Sequence, residues 1–126
     1  MLSRRDLLNA IWLTPALHYY TFPSRKRILL LKTRLAGHLY YGVDKVYPYV
    51  RLGDALDLRR EPYNPYDHKA VEIYWRGEKL GYIPKEDNSV IAQLLDRGEK
   101  LEAFVSEIRN TPNYWERIWF EVYLIA

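Results

Sequence analysis

From residue 28 onward the chain is written mainly in twos. Ile28-Leu29-Leu30-Leu31 opens an apolar run that stops near Gly37. Ala55 to Arg60 alternates, with Leu56 and Leu58 on one side, and Gly53-Asp54 before it marks a turn. Between Ala70 and Trp75, Val71, Ile73 and Trp75 point one way and Glu72 and Tyr74 the other. Arg76-Gly77-Glu78 makes a hairpin into Leu80 to Ile83. Strands resume at Leu101 to Ile108. After a turn at Asn110-Thr111-Pro112-Asn113, a last strand runs from Trp115 to Ile125, where Ile118, Phe120, Val122 and Leu124 alternate with Arg117, Trp119, Glu121 and Tyr123. Helical spacing occurs once in this body: Val90, Ile91, Leu94 and Leu95 share a face, and Gly98 stands where a left-handed C-terminal cap belongs. About six strands and one helix predict a mainly β domain. A small, closed or half-open β-barrel removes the edges such a sheet would expose.

Residues 1–26 do not share this pattern and read as an N-terminal extension to a body at 27–126. Ser3-Arg4-Arg5-Asp6-Leu7-Leu8 is similar to a twin-arginine export signal. The segment after it is interrupted by Asn9, Thr14 and Pro15, and no clear cleavage site follows. The same residues also fit an amphipathic helix. Ser3 and Asp6 have capping-box spacing, Leu7, Leu8, Ile11 and Trp12 form one face, and Pro15 ends it. The helix reading leaves the protein in the cytoplasm, and the signal reading exports it. The core pattern begins only at Ile28, so the extension is expected to be dispensable for the fold.

Composition narrows the partners more than the fold. The chain has 126 residues, 48% hydrophobic and 28% charged, which suits one folded domain. It has no cysteine, so disulfides and thiolate zinc sites are excluded. No apolar run is long enough to span a membrane as a helix. A net charge of +3 and a pI near 9.1 permit an anionic partner without demanding one. Twelve tyrosines are many for this length; most follow from strand propensity, and the rest are candidates for base stacking.

Little in the chain carries catalytic chemistry. There is no glycine-rich phosphate loop and no nucleophile elbow. His18, His38 and His68 lack a second ligand at metal spacing, so no metal or other cofactor is expected. Asp67 and His68 are chain neighbours and point opposite ways on an extended backbone. Asp54, Asp57, Glu61 and Asp67 form a magnesium site only if the fold gathers them.

The most informative run is Arg59-Arg60-Glu61-Pro62-Tyr63-Asn64-Pro65-Tyr66-Asp67-His68-Lys69-Ala70-Val71. Two prolines preorganise it, and it offers Asn, Asp and Tyr side chains together. Its plain structural reading is a rigid turn whose Asn and Asp satisfy their own backbone. With Leu56-Asp57-Leu58 ahead of it, the run resembles the signature of the HIRAN domain. Gly37 and Tyr40-Tyr41-Gly42 come earlier, then Gly53-Asp54, and Gly81-Tyr82-Ile83-Pro84 and the helix around Ile91 to Gly98 come later. The resemblance spans roughly residues 30–108.

It implies an OB-like barrel that binds nucleic acid without catalysis. HIRAN domains stand alone in some bacteria. Others precede the helicase-like ATPase of eukaryotic fork-remodelling proteins of DNA repair, where the domain grips the 3′-hydroxyl end of single-stranded DNA. By matching position, Asp67 would face the terminal hydroxyl and Tyr40 and Tyr41 would line or stack. Asn64 and Tyr66 would shape the pocket, with Tyr82 and Lys85 at its rim and Lys85 near a phosphate. The DNA-gripping members carry an arginine directly before the tyrosine pair; here Leu39 follows His38. That departure favours, as alternative, a protein-interaction or envelope-associated domain that has lost the DNA role. A third reading, a hydrolase acting on nucleic acid, requires the carboxylates to cluster.

Overall fold

A computed structural model describes residues 26–36, 43–113 and 116–126. The helix or signal expected in residues 1–25 lies outside the described residues, as do Gly37, Tyr40, Tyr41 and Trp115. Six antiparallel strands follow in chain order: β1 (Arg27–Arg34), β2 (Ala55–Arg60), β3 (Val71–Trp75), β4 (Glu78–Tyr82), β5 (Leu101–Ile108) and β6 (Ile118–Ile125). They form one sheet in the order β1-β6-β5-β2-β3-β4. The sheet is not a continuous closed cylinder. Just past β1, Ala36 exchanges two backbone hydrogen bonds of 2.9 Å with Tyr82 of β4, so the two edges meet at one bridge. The architecture is a half-open barrel, with one helix between β4 and β5.

Alternation sets the interior. Val71, Ile73, Leu80, Phe120 and Val122 are each 0% exposed, and Leu56, Trp75, Ala103, Val105 and Ile118 join them. These are the inward residues of the twofold pattern, and their burial drives closure. Arg76 (φ 47°) and Gly77 (φ 84°) both take positive φ between β3 and β4. A tight two-residue hairpin demands this, and glycine adopts it without strain. The helix α1 (Ser89–Asp96) ends on Gly98 at φ 80°. There the Gly98 amide donates to the Leu95 carbonyl and the Glu99 amide to that of Leu94, each at 3.0 Å, a Schellman cap.

Four expectations need correction. The helix buries Ile91 and Ala92, whereas Val90 is 58% exposed, so its apolar stripe is centred one residue further on. Ile28 and Leu29 are about half exposed, and the fully buried end of the first segment is Thr33 and Leu35. A bulge between Leu29 and Leu31 turns the strand inward. The last strand begins at Ile118, after a short turn in which the Trp119 indole donates to the Glu116 carbonyl. The body also holds a further single helical turn, Val43–Val46, continued by a 3-10 turn at Tyr47–Tyr49. Four residues are too few to display a helical period; packing of Val46 and Tyr47 on the core holds them.

Candidate nucleic-acid interface

The segment from Glu61 to Ala70 joins β2 to β3 and carries the proline-flanked signature. Several of its polar groups are satisfied within the segment. The Asn64 carboxamide oxygen accepts from the amides of Tyr66 (2.8 Å) and Asp67 (3.0 Å), and its Nδ2 donates to Glu61 Oε1 (2.6 Å). The Glu61 amide donates to the Ala70 carbonyl at 3.0 Å and closes the base of the loop. Arg60 clamps it from outside: the guanidinium donates to the carbonyls of Ala70 (2.6 Å) and His68 (2.9 Å) and pairs with Asp96 at 2.9 Å. The rigid turn read from the sequence is therefore present.

That rigidity leaves other groups on display. Between the loop, β4 and the turn after it lies an open cleft of about 900 Å³, lined by Ala36, Glu61, Asn64, Pro65, Tyr66, Asp67, Ala70, Lys79, Tyr82, Ile83 and Lys85. Five candidate residues, Asn64, Tyr66, Asp67, Tyr82 and Lys85, share this one cavity. Tyr40 and Tyr41 lie outside the described residues, and Ala36, shortly before them, lines the cleft. The Tyr66 ring is 87% exposed. Lys85 sits at the rim, its ammonium 3.5 Å from the Tyr66 carbonyl, too long for a strong bond.

Asp67 is half-buried and held at both oxygens. Oδ1 accepts from the Lys69 amide at 3.0 Å and Oδ2 from the Asn88 side chain at 2.7 Å. A carboxylate has about four acceptor sites, so two donors leave capacity for a ligand hydroxyl.

Glu61, Lys79 and Asn88 also belong to the site; the sequence offered Glu61 only as a metal ligand and gave Lys79 and Asn88 no role. Tyr82 donates its hydroxyl to Glu61 Oε1 at 2.7 Å and accepts from Lys79 at 2.9 Å. Lys79 also pairs with Glu72 at 2.9 Å and lies over the Tyr82 ring, 4.4 Å from its centroid. The bonds from Asn64 and Tyr82, with the nearby Lys79 ammonium, hold the Glu61 carboxyl below its ordinary range. Tyr82 is thereby fixed by its hydroxyl at the rim. The signal for Glu61 and Lys79 was weak, because a charged residue at a strand end is usually solvated surface.

The carboxylates considered for a metal are not gathered. Asp54 accepts from the Trp75 indole (3.0 Å) and the Arg51 amide (2.8 Å), which lower its pKa, while Glu61 and Asp67 are engaged as described. Among the described residues no three His, Asp or Glu side chains are placed to hold a metal ion.

Comparison with known proteins agrees with this architecture. A crystal structure of a protein from Lactobacillus plantarum is similar, with a TM-score of 0.69 and 24% identity over 81% of this chain and 98% of its own. The crystal structure of the HIRAN domain of human HLTF is similar as well, with a TM-score of 0.61 and 24% identity over 79% of each chain. At these identities both relate to the fold. No curated protein matches. The HIRAN domain family model matches residues 28–125, nearly the whole body. The chain therefore belongs to the HIRAN domain family of DNA-binding modules.

Proposed function

We propose that this domain binds single-stranded nucleic acid, with single-stranded DNA the first candidate, and recognises a free 3′-hydroxyl end without catalysing a reaction. The observation that carries the reading is the shared cleft. A carboxylate with spare acceptor capacity (Asp67), an exposed ring (Tyr66) and a rim ammonium (Lys85) converge on one cavity. A 3′-terminal nucleotide offers the complementary set of hydroxyl, base and phosphate.

The terminal hydroxyl donates to Asp67 in a charge-assisted bond, and a terminal phosphate is repelled by the same charge. Stacking on Tyr66 is sequence-tolerant and contributes roughly 1–3 kcal/mol per base. Tyr40 and Tyr41 are proposed as further stacking partners. Lys85 neutralises a backbone phosphate, which makes binding weaken as salt rises. The loop is ordered by its own hydrogen bonds, so little entropy is lost when it meets a strand. A binding role also fits the site carboxylates, which serve as fixed acceptors for Asn64, Tyr82 and Asn88.

The test is fluorescence anisotropy of short labelled strands ending in a 3′-hydroxyl or a 3′-phosphate, at two salt concentrations. The hydroxyl-ended strand is expected to bind more tightly, and both to weaken with salt. Equal affinity for the two ends removes end recognition. No binding of either favours the protein-interaction alternative.

A further inference from the structure

We infer that Asn88 is the positioning residue that aims the Asp67 carboxylate and so sets the discrimination between strand ends. This rests on the proposed reading of the cleft and adds a residue that the ligand itself does not touch.

Asn88 stands at the N-cap of α1 and is 0% exposed. Asparagine at such a position normally turns its side-chain oxygen back onto the free amides of the first helical turn. Asn88 makes no such bond, and its Oδ1 has no hydrogen-bond partner among the described residues although it is buried. An uncapped helix end and an orphaned buried acceptor are both unfavourable, and such a group calls for an explanation. The explanation offered by the geometry is the other half of the amide. Nδ2 is directed at Asp67 Oδ2 and donates at 2.7 Å across 21 residues of sequence.

Asn88 is itself firmly placed. Its carbonyl accepts the first helical bond, from the Ala92 amide at 2.8 Å, and Ile91 and Ala92 are packed in the core. The preceding residue, Asp87, accepts from the hydroxyl of Thr33, a buried residue of β1, at 2.9 Å. The backbone around Asn88 is thus fixed to the barrel, whereas Asp67 belongs to a loop whose other bonds are mostly internal. The Asn88–Asp67 bond transfers the barrel's frame to the carboxylate. Together with the Lys69 amide on Oδ1 it fixes the plane of the group and leaves its remaining lone pairs for a ligand.

The experiment uses the full chain carrying Asn88→Ala or Asn88→Ser, alone and combined with Asp67→Ala, against the same hydroxyl-ended and phosphate-ended strands. Thermal unfolding of each variant is recorded alongside. Asn88→Ala is expected to weaken hydroxyl-ended strands about five- to tenfold, the size of one ordinary hydrogen bond, because the effect is passed on through Asp67, and to leave phosphate-ended strands nearly unchanged. In the Asp67→Ala background the same change is expected to have no further effect on either strand. Equal weakening of both strands, or a full loss in the Asp67→Ala background, overturns the inference and makes Asn88 a structural residue. If Asn88→Ala does not fold, Asn88→Ser, which keeps a polar group in a smaller space, decides by the same ratio. Equal binding of the two ends by the unmutated protein instead removes end recognition itself, so the two failures are distinguishable.

Discussion

The barrel interior and the cleft loop are ordered by different forces. Inside, Ile73, Leu80 and Phe120 are 0% exposed and belong to one apolar cluster. Their contribution scales with area removed from water and has little direction. In the loop, Tyr63 is 94% and Tyr66 87% exposed, and of residues 61–70 only Ala70 is buried. Its shape comes from Asn64, Arg60 and Asp67, each spanning backbone groups of the same loop. Burial tolerates small shifts, while hydrogen bonds lose most of their value when distance or angle changes. A barrel supplies stability, and a polar loop on it supplies aim. Substitutions in the two regions should therefore fail in different assays.

The largest effect is expected from Phe120→Ala. It removes a fully buried ring from β6 and should cost about 3–5 kcal/mol of stability, read from the denaturant midpoint. At a temperature where the variant is still folded, its preference between strand ends should be unchanged. A changed preference would show that the two regions are not separable.

Asp67→Asn should act in the opposite sense. Affinity for hydroxyl-ended strands should fall by roughly 1–3 kcal/mol, and discrimination against phosphate ends should shrink because the repelling charge is gone. The thermal transition should move far less than in Phe120→Ala. Asn64→Ala lies between the two regions, since it deletes both amide bonds and the Glu61 contact. A stability loss of about 1–2 kcal/mol is expected, with faster hydrogen exchange at the Tyr66 and Asp67 amides as the specific readout. Unchanged exchange there would mean that the prolines alone hold the loop.

Lys85→Ala should weaken both strand ends alike and reduce the salt slope by about one, because a phosphate contact reads no end chemistry. The smallest effect concerns Glu61. Its folded-state carboxyl lies below the ordinary value of 4.5, chiefly through the Asn64 bond, then Tyr82, with Lys79 adding charge. A lowered folded value means that the ionised form stabilises the fold above the unfolded value, and that this is lost as pH falls through the lower folded value. The melting temperature should thus fall less steeply below about pH 4.5 in Glu61→Gln than in the unmutated protein. Identical acid profiles would remove Glu61 from the loop's support.

Much of this molecule could be read from the chain itself. The six strands, the Arg76-Gly77 hairpin, the Gly98 cap and the proline-flanked turn each depend on neighbours a few residues apart, and side-chain period and turn chemistry report such contacts directly. The resemblance to the HIRAN signature pointed to Asn64, Tyr66, Asp67, Tyr82 and Lys85, which the fold collects in one cleft. Other features were decided only in three dimensions. Val90 faces water and Ala92 the core because the barrel chose which stripe of a short helix to cover. Ala36 meets Tyr82 because six strands curl until their edges touch, and no local pattern encodes that distance. Asn88 stands just before a helix in the sequence, 21 residues from Asp67. Only the packed barrel brings it beside Asp67, where its amide serves the loop instead, because a hydrogen bond is decided by distance and angle in space and not by separation along the chain.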